Sequence, residues 1–263
     1  MTRVGMVDLS TSHPGIFAPL LADLGMPVTA VLEPFGDVPV VGSLAELAGA
    51  CDVVMLLGAD WDQRLEQVRT FTALGVPVFV DKPMAGTAGE LAELARLADG
   101  PARIDGGSAL RVAPEAVAAR GRALSEVACG GHPFYYGVHA VALAVAVLGP
   151  GLVAAHGRFD DVSLEGVIEH VSGAGFRVAV SGPPGGFRAT VGERVIEPAA
   201  EAFYPALLAD VMARLTGAGE RRPGRELVEC ELALLALAWS ASTGGAPVRL
   251  DEVPADFRPW TQH

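Results

Sequence analysis

The chain has 263 residues, of which 51% are hydrophobic, and this composition is sufficient to form one large core or two smaller ones. Its formal net charge is −12, and its isoelectric point lies near 4.9. An acidic chain lacks the basic face that sequence-independent binding of nucleic acid requires, so the charge argues against that class of function.

The cysteines give no sign of a disulfide or a metal site. The chain has three, which lie far apart: Cys51, Cys129 and Cys230. They show neither a CxxC pair nor a Cys/His spacing, so we expect no metal, and a reducing cytoplasm is the default location.

The N-terminal residues run directly into a strand-like segment, so we expect no secretory signal. The longest uncharged run, 127–157, is interrupted by Pro133 and by a Gly-Pro-Gly break, which favours a buried helix over a membrane span.

One residue stands out by composition alone. Of the 19 basic residues, 18 are arginine, and Lys82 is the single lysine. Arginine stays protonated in proteins, whereas lysine shifts its pKa readily and is a compact donor. A solitary lysine among so many arginines therefore indicates a task that arginine cannot perform. The alternative is that this lysine was retained by chance and has no special role.

The first half of the chain alternates short β-branched runs with helical segments. Five strands are predicted, near 4–8, 27–32, 52–57, 77–81 and 102–104. Capping boxes begin two of the helices, at Ser43-x-x-Glu46 and Thr87-x-x-Glu90, and Pro14 suits the first turn of another. Strict alternation of strand and helix predicts an α/β fold with a parallel, Rossmann-like sheet, which we assign to residues 1–112.

The regular alternation of strands and helices ends in the second half, residues 113–263. A helical stretch at 114–124 precedes the apolar helix predicted at 136–148. Short segments of period two, separated by glycine-rich turns between 153 and 195, predict antiparallel hairpins. Two helices, at 204–216 and 225–243, complete a smaller α+β domain. The alternating apolar residues of its sheet, such as Phe176, suggest a homodimer through that sheet, although they could equally pack on the helices.

The first strand-to-helix turn is a candidate cofactor site. In dinucleotide-binding domains the backbone N–H groups of this turn face the pyrophosphate at the helix N-terminus. Here the glycine fingerprint is missing, and Asp8 and Ser10 occupy its first two positions. The side chains of Ser10, Thr11, Ser12 and His13 could still contact a phosphate, but the Asp8 carboxylate would repel it unless turned away or protonated. A simple helix-capping loop is the alternative.

Glu33 follows the second strand, where an acidic side chain binds the ribose hydroxyls of NAD. No lysine or arginine occurs between Val4 and Gln63, so nothing local is available for the additional phosphate of NADP. If a dinucleotide binds, the sequence therefore favours NAD. A solvated glutamate before the Pro34 turn is the alternative.

Two further segments carry candidate catalytic residues. Asp81-Lys82-Pro83 ends the fourth strand, and ligands of open α/β sheets bind at the carboxyl ends of the strands. In the second half, Tyr135 and His139 are four residues apart and share a face if the helix has begun by Tyr135. A histidine and a tyrosine, either Tyr135 or Tyr136, could serve proton transfer beside a reacting carbon. The alternative is that His139 is a core residue whose hydrogen bonds are all made within the protein.

These motifs resemble those of the glucose-fructose oxidoreductase / inositol dehydrogenase (Gfo/Idh/MocA) family. Asp81-Lys82-Pro83 is similar to its Glu-Lys-Pro motif, and Gly137-Val138-His139 is similar to its Gly-x-His motif. The resemblance implies that Lys82 contacts a substrate hydroxyl or carbonyl and that His139 carries the proton. The chain departs from the family in having Tyr135 and Ala142 where aspartates stand, and it is shorter between residues 113 and 133.

The resemblance implies an NAD-dependent oxidoreductase that interconverts an alcohol and a carbonyl on a small sugar-like or polyhydroxylated substrate. In that interpretation Lys82 also contacts the cofactor side of the site, and Tyr135 or Tyr136 orients the substrate. A redox-neutral lyase, cyclase or epimerase with a lost or tightly held cofactor is the first alternative, supported by Asp8. A non-catalytic ligand-binding regulator is the second, supported by the missing aspartates.

Overall fold

The computed structural model describes residues 1–160 and 163–261, which form two sheets with helices around them. The strands of the first sheet are β1 (Val4–Val7), β2 (Val28–Val31), β3 (Val53–Leu56), β4 (Val78–Val80) and β5 (Ile104–Gly106). All neighbouring pairs are parallel, in the order β2-β1-β3-β4-β5. The predicted parallel sheet is confirmed.

A helix follows each of the first four strands, as the alternation predicts. These helices are α1 (His13–Asp23), α2 (Leu44–Ala50), α3 (Arg64–Ala73) and α4 (Ala88–Asp99). The capping box at Thr87 and Glu90 is complete. At Ser43 only half of the box forms, because the Glu46 carboxylate accepts the Gly42 N–H instead.

The strand order places a ligand crevice in the first sheet. The chain runs outward from β1 to β2 and then returns to β3 on the other side of β1, so the order reverses between β1 and β3. A single parallel β-bridge joins Val31 to Val40, so the segment at Val40 takes the place of a further strand beside β2. With that position included, the order matches the dinucleotide-binding arrangement, in which ligands lie at the carboxyl ends of the strands beside the reversal.

The second sheet is mixed. Its strands are β6 (Leu124–Gly130), β7 (Leu152–Phe159), β8 (Leu164–His170), β9 (Gly175–Val180), β10 (Gly185–Val191), β11 (Arg194–Ile196) and β12 (Val248–Arg249). The order is β11-β10-β6-β9-β8-β7-β12, and every pair is antiparallel except β6 with β9. The predicted hairpins are confirmed, whereas the parallel contact in their centre was not predicted.

The helices of the second half are α5 (Pro114–Val117), α6 (Gly137–Leu148), α7 (Ala200–Thr216) and α8 (Gly224–Ser242). The helix predicted at 114–124 is wrong beyond Val117. Gly121 adopts a φ of +80°, which a continuing helix cannot accommodate, and β6 begins at Leu124. Within the described ranges, no helix combines the length and the apolar character that a membrane span requires.

The inner face of the second sheet packs on helices of the same chain. Phe176, Val178 and Val180 are buried, and the Val180 side chain lies beside Gly137 at the start of α6. These apolar residues therefore contact helices, the alternative that the alternation left open. The outer face carries Arg177 in ion pairs with Glu126 and Glu165. A homodimer through this sheet stays a prediction.

The two halves of the chain pack closely on each other. Helix α8 packs on α4, and α7 packs on α1. The Gly224 N–H donates to Asp99 Oδ1 at 2.7 Å, and a Cβ at Gly224 would lie 2.1 Å from the Ala95 carbonyl oxygen. This contact brings side chains of α7 and α8 to the carboxyl ends of the first sheet.

Candidate active site

Lys82 lies at the carboxyl end of β4 and is almost fully buried, with 3% of its surface exposed. Its Nζ lies 3.3 Å from the ring centroid of Tyr135 and 6.0 Å from that of Tyr136. In the described part of the chain, no carboxylate forms an ion pair with this amine. Burial therefore dominates and lowers the pKa of Lys82 to about 8, although the charge of Asp81 partly opposes the shift.

The neighbouring Asp81 ties the strand end to the first turn. Its buried carboxylate accepts the Lys82 N–H at 2.8 Å and forms a short ion pair with Nδ1 of His13. Burial alone would raise the pKa of Asp81, but His13, Lys82 and Arg64 outweigh it, so this pKa lies below its usual value. Asp81 is therefore a charged structural anchor for the lysine segment.

His13 points into the protein. Its ring stacks on Phe17 with 4.9 Å between centroids, and its Nε2 lies 3.4 Å from the hydroxyl of Tyr204 on α7. The side chain predicted to contact a phosphate thus connects Asp81 to the second half of the chain. Burial raises the pKa of Tyr204, so its phenol stays protonated at neutral pH.

Arg64 holds the strand ends together, a role that no sequence motif indicates. Its fully buried guanidinium donates to the carbonyl oxygens of Leu56, at 2.6 Å, and of Asp81 and Gly58. These carbonyls lie at or just beyond the carboxyl ends of β3 and β4. A buried cation that replaces water at three carbonyls fixes the geometry of the crevice.

His139 occupies the first turn of α6. Its Nδ1 lies 2.6 Å from Ser108 Oγ, which also accepts the Leu110 N–H. Burial and then the charge of Lys82 lower the pKa of His139 well below 6.5, so the imidazole is neutral at pH 7. The charge of Lys82 thus acts on the imidazole of His139, and the catalytic pairing of the two residues stays a prediction.

Tyr135 does not belong to the helix. Helix α6 begins at Gly137, because His132 Nδ1 accepts the N–H groups of Phe134 and Tyr135 and holds them in a turn. The premise that Tyr135 and His139 share a helical face is wrong. Tyr135 instead covers the Lys82 amine, and burial raises the pKa of its phenol to about 12.

Glu231 on α8 is a further residue that the sequence did not single out. It is buried, and its Oε1 accepts the Met84 N–H at 3.3 Å, two residues beyond Lys82. Burial raises the pKa of Glu231 to about 7. Its charge acts on Lys82, so the lysine segment faces a second carboxyl group from the other half of the chain.

The first turn departs from a glycine-rich cradle in measurable ways. Asp8 has a φ of +60°, the left-handed conformation that favours glycine. Its carboxylate accepts a hydrogen bond from Gln67 Nε2 at 2.8 Å, and a Cβ on Gly58 would lie 2.4 Å from the Asp8 Cβ. The Asp8 side chain is thus directed to β3 and α3, which meets the condition that it be turned away.

Two backbone donors are lost at the start of α1, those of residues 13 and 14. Thr11 Oγ1 donates to the Leu57 carbonyl at 3.0 Å and accepts the His13 N–H at 3.3 Å. Pro14 has no N–H to offer. Ser10 and Ser12 are exposed, and Ser12 makes no side-chain cap. The two serine hydroxyls are therefore exposed side-chain donors of this turn.

Glu33, just beyond β2, has one oxygen without a partner. Its Oε2 is buried and makes no hydrogen bond within the described residues. Burial, and then the charge of Asp8, raise the pKa of Glu33. An orphaned carboxylate oxygen at this position fits the ribose hydroxyls of NAD, and the exposed serines fit a diphosphate held by side chains. The residues present thus fit NAD.

Solved structures of low sequence identity are similar to this chain over most of its length. No protein-family model matches it, and no curated protein is significantly similar. Among solved structures, GenD2 from gentamicin A biosynthesis, in complex with NAD, is 20% identical, with a TM-score of 0.75 over 94% of this chain and 96% of that one. A putative myo-inositol dehydrogenase from Sinorhizobium meliloti 1021 is 13% identical, with a TM-score of 0.77 over 95% of this chain and 100% of that one.

A third structure is similar over most of the chain. The WlbA (WbpB) dehydrogenase from Thermus thermophilus, in complex with NAD and UDP-GlcNAcA, is 16% identical, with a TM-score of 0.70 over 89% of this chain and 94% of that one. Identities this low establish architecture rather than activity. The chain shares the fold of these three structures, the fold that its resemblance to the Gfo/Idh/MocA-type dehydrogenases implies.

Proposed function

We propose that this protein is an NAD-dependent oxidoreductase that interconverts an alcohol and a carbonyl on a small polyhydroxylated or sugar-like substrate. The observation that carries the proposal is the Lys82 amine, buried at the carboxyl end of β4 with a pKa of about 8. A side chain whose pKa lies near the working pH is suited to general acid and base catalysis. Two structures of the same fold were solved with NAD.

In the proposed reaction NAD accepts or donates the hydride when bound. Lys82 donates a hydrogen bond to the substrate oxygen and exchanges its proton, because its pKa of about 8 allows both protonation states near neutral pH. His139, whose pKa is well below 6.5, contributes a neutral imidazole that orients the same oxygen. This division of roles differs from the one that the family resemblance implies, in which His139 carries the proton.

Three other groups support this arrangement. Tyr135 covers the Lys82 amine and limits the access of water to it, and Tyr136 lies within 5.2 Å of the Tyr135 ring. At the opposite end of the crevice, Glu33 would bind the ribose of NAD, and Ser10 with Ser12 would bind its diphosphate. Arg64 and the pair of His13 with Asp81 hold these elements in position.

Titration with NADH tests the proposal. Nicotinamide fluorescence should saturate in the wild type, and Glu33→Gln should weaken binding about tenfold, because a charged acceptor of the ribose hydroxyls is lost. Glu169→Gln changes an exposed glutamate on the second sheet and is the matched control. Absence of saturable NADH binding by the wild type would contradict the assignment.

A redox-neutral reaction is the second candidate function. It is favoured by the first turn, where the His13 N–H is taken by Thr11 and Pro14 has no N–H. A lysine amine that deprotonates at about pH 8 could act as a base in an elimination or epimerisation without exchangeable NAD. If NADH fails to bind while Lys82→Met abolishes turnover of an identified substrate, this candidate replaces the first.

A further inference from the structure

A second cavity, away from the Lys82 site, gathers arginines. Its volume is about 430 Å³, and it lies between the segment 109–112, helix α6, the end of α7 and the start of α8. Five arginines line it: Arg111, Arg120, Arg214, Arg221 and Arg222. Five of the 18 arginines of the chain thus converge on one cavity, which Asp210, Glu220 and Glu226 also line.

Three of these arginines are anchored by carboxylates. Arg214 and Arg222 each lie 3.3 Å from an oxygen of the buried Asp105, and both also pair with Asp210. Arg111 lies 3.4 Å from Glu229. These ion pairs fix the guanidinium planes in place before any ligand arrives.

The other two arginines have no carboxylate partner within the described ranges. Arg120 makes one hydrogen bond, from Nε to the Ala146 carbonyl at 3.3 Å, so its two terminal nitrogens are available. Arg221 donates through one terminal nitrogen to the carbonyls of Ala98 and Ala102. Free guanidinium nitrogens beside fixed ones make a fork that matches the oxygens of a phosphoryl or carboxylate group.

Arg222 is the most deeply buried of the five arginines, and the start of α8 lies beside it. Burial lowers the pKa of Arg222 to about 10, and repulsion from Arg111 is the next cause. The N-terminus of the 19-residue helix α8 also lies here, because Pro223 and Glu226 line the cavity. Its N-cap, Pro223, offers no side-chain cap, and the Asp99 carboxylate of α4 accepts the Gly224 N–H instead.

We propose that this cavity binds a small hydroxylated molecule through its oxyanion, either a phosphoryl or a carboxylate group. Arg120 and Arg221 contact the anion, and the anchored Arg111 and Arg222 supply the field behind it. Glu220 and Glu226 also line the cavity and can accept hydrogen bonds from the hydroxyl groups of the ligand. The site is separate from the Lys82 crevice and does not depend on the function proposed there.

Calorimetric titration of the whole chain with inorganic phosphate, and separately with citrate, tests this site. Saturable binding of either anion is expected at concentrations up to about 10 mM, the range of a millimolar dissociation constant. The tighter of the two identifies phosphoryl or carboxylate as the preferred group. Arg120→Gln should weaken binding about tenfold, because a charge-assisted fork is lost from an exposed position, and Arg120→Lys should restore part of it.

Two controls separate this cavity from others. Arg158→Gln alters the one arginine of another cavity, formed with His156 and Gly157, and should leave anion binding unchanged. Lys82→Met should also leave it unchanged, because the amine belongs to the other site. Absence of saturable binding of both anions, or equal affinity in wild type and Arg120→Gln, would overturn the proposal.

Discussion

Lys82 and Arg222 of the second cavity are buried cations that are held in opposite ways. At the first site Lys82 stands alone under the ring of Tyr135, with no ion-paired carboxylate among the described residues. At the second, Arg222 and Arg214 share Asp105 and Asp210. The unpaired lysine has a pKa of about 8, near the pH at which it can exchange protons. The paired guanidiniums stay charged and serve as fixed structure.

The difference has a consequence for stability. The pKa of Lys82 falls from 10.5 to about 8 on folding, so between these values the unfolded chain binds more protons than the folded one. The free energy of unfolding therefore rises as the pH rises from about 8 to 10.5. The shift of about 2.5 pH units corresponds to about 3 kcal/mol, which is the destabilisation that a charged Lys82 imposes at pH 7. A residue that destabilises its own fold in this way is expected to have a function.

Lys82→Met gives the largest expected effect and separates activity from stability. Turnover of an identified polyol or sugar substrate should fall about 10²- to 10⁴-fold, because polarisation and proton exchange at the substrate oxygen are lost. Thermal unfolding at pH 7 should move to higher temperature, because an apolar side chain of similar length replaces a buried charge. Lys82→Arg should not restore activity, since arginine cannot release its proton. Near-normal turnover in Lys82→Met would refute the assigned role.

The pKa of Lys82 can be measured without a substrate. The chain has one lysine, so labelling with 15N-lysine gives a single Nζ signal, whose midpoint should lie near pH 8 rather than 10.5. Tyr135→Phe keeps the covering ring and the midpoint, whereas Tyr135→Ala admits water and should raise the pKa toward 10.5. In the proposed reaction, carbonyl reduction should slow above about pH 8 and alcohol oxidation should become faster. A wild-type midpoint near 10.5 would remove the basis for both expectations.

Local pattern was sufficient to predict the first sheet and the main candidate. The five strands, the Thr87 cap and the hairpins after residue 153 follow from periodicity and turn chemistry, which act over a few residues. The uniqueness of Lys82 and its position after β4 placed it at the crevice. The proximity of His139 to Lys82 came from the family resemblance, because no local signal joins residues 57 positions apart.

Other parts of the site depend on tertiary packing. Tyr204 and Glu231 reach the site because α7 and α8 fold back onto the first sheet. Their positions in the sequence do not indicate this contact. Arg64 begins α3, and no local pattern marks it as the buried partner of three carbonyl oxygens. Strand β6 was not predicted, and its parallel pairing with β9 is non-local.

The paired cations should respond to loss of charge in the opposite sense to Lys82. Arg222→Met leaves the buried Asp105 with Arg214 as its one ion-pair partner, so the free energy of unfolding in urea should fall by about 3 kcal/mol. Arg177→Met removes an exposed arginine of the second sheet and should change the urea midpoint little, because water replaces its ion pairs. Lys82→Met and Arg222→Met thus change stability with opposite signs. If both variants were stabilised, the carboxylates would not anchor the arginine cavity, and its preformed geometry would need another cause.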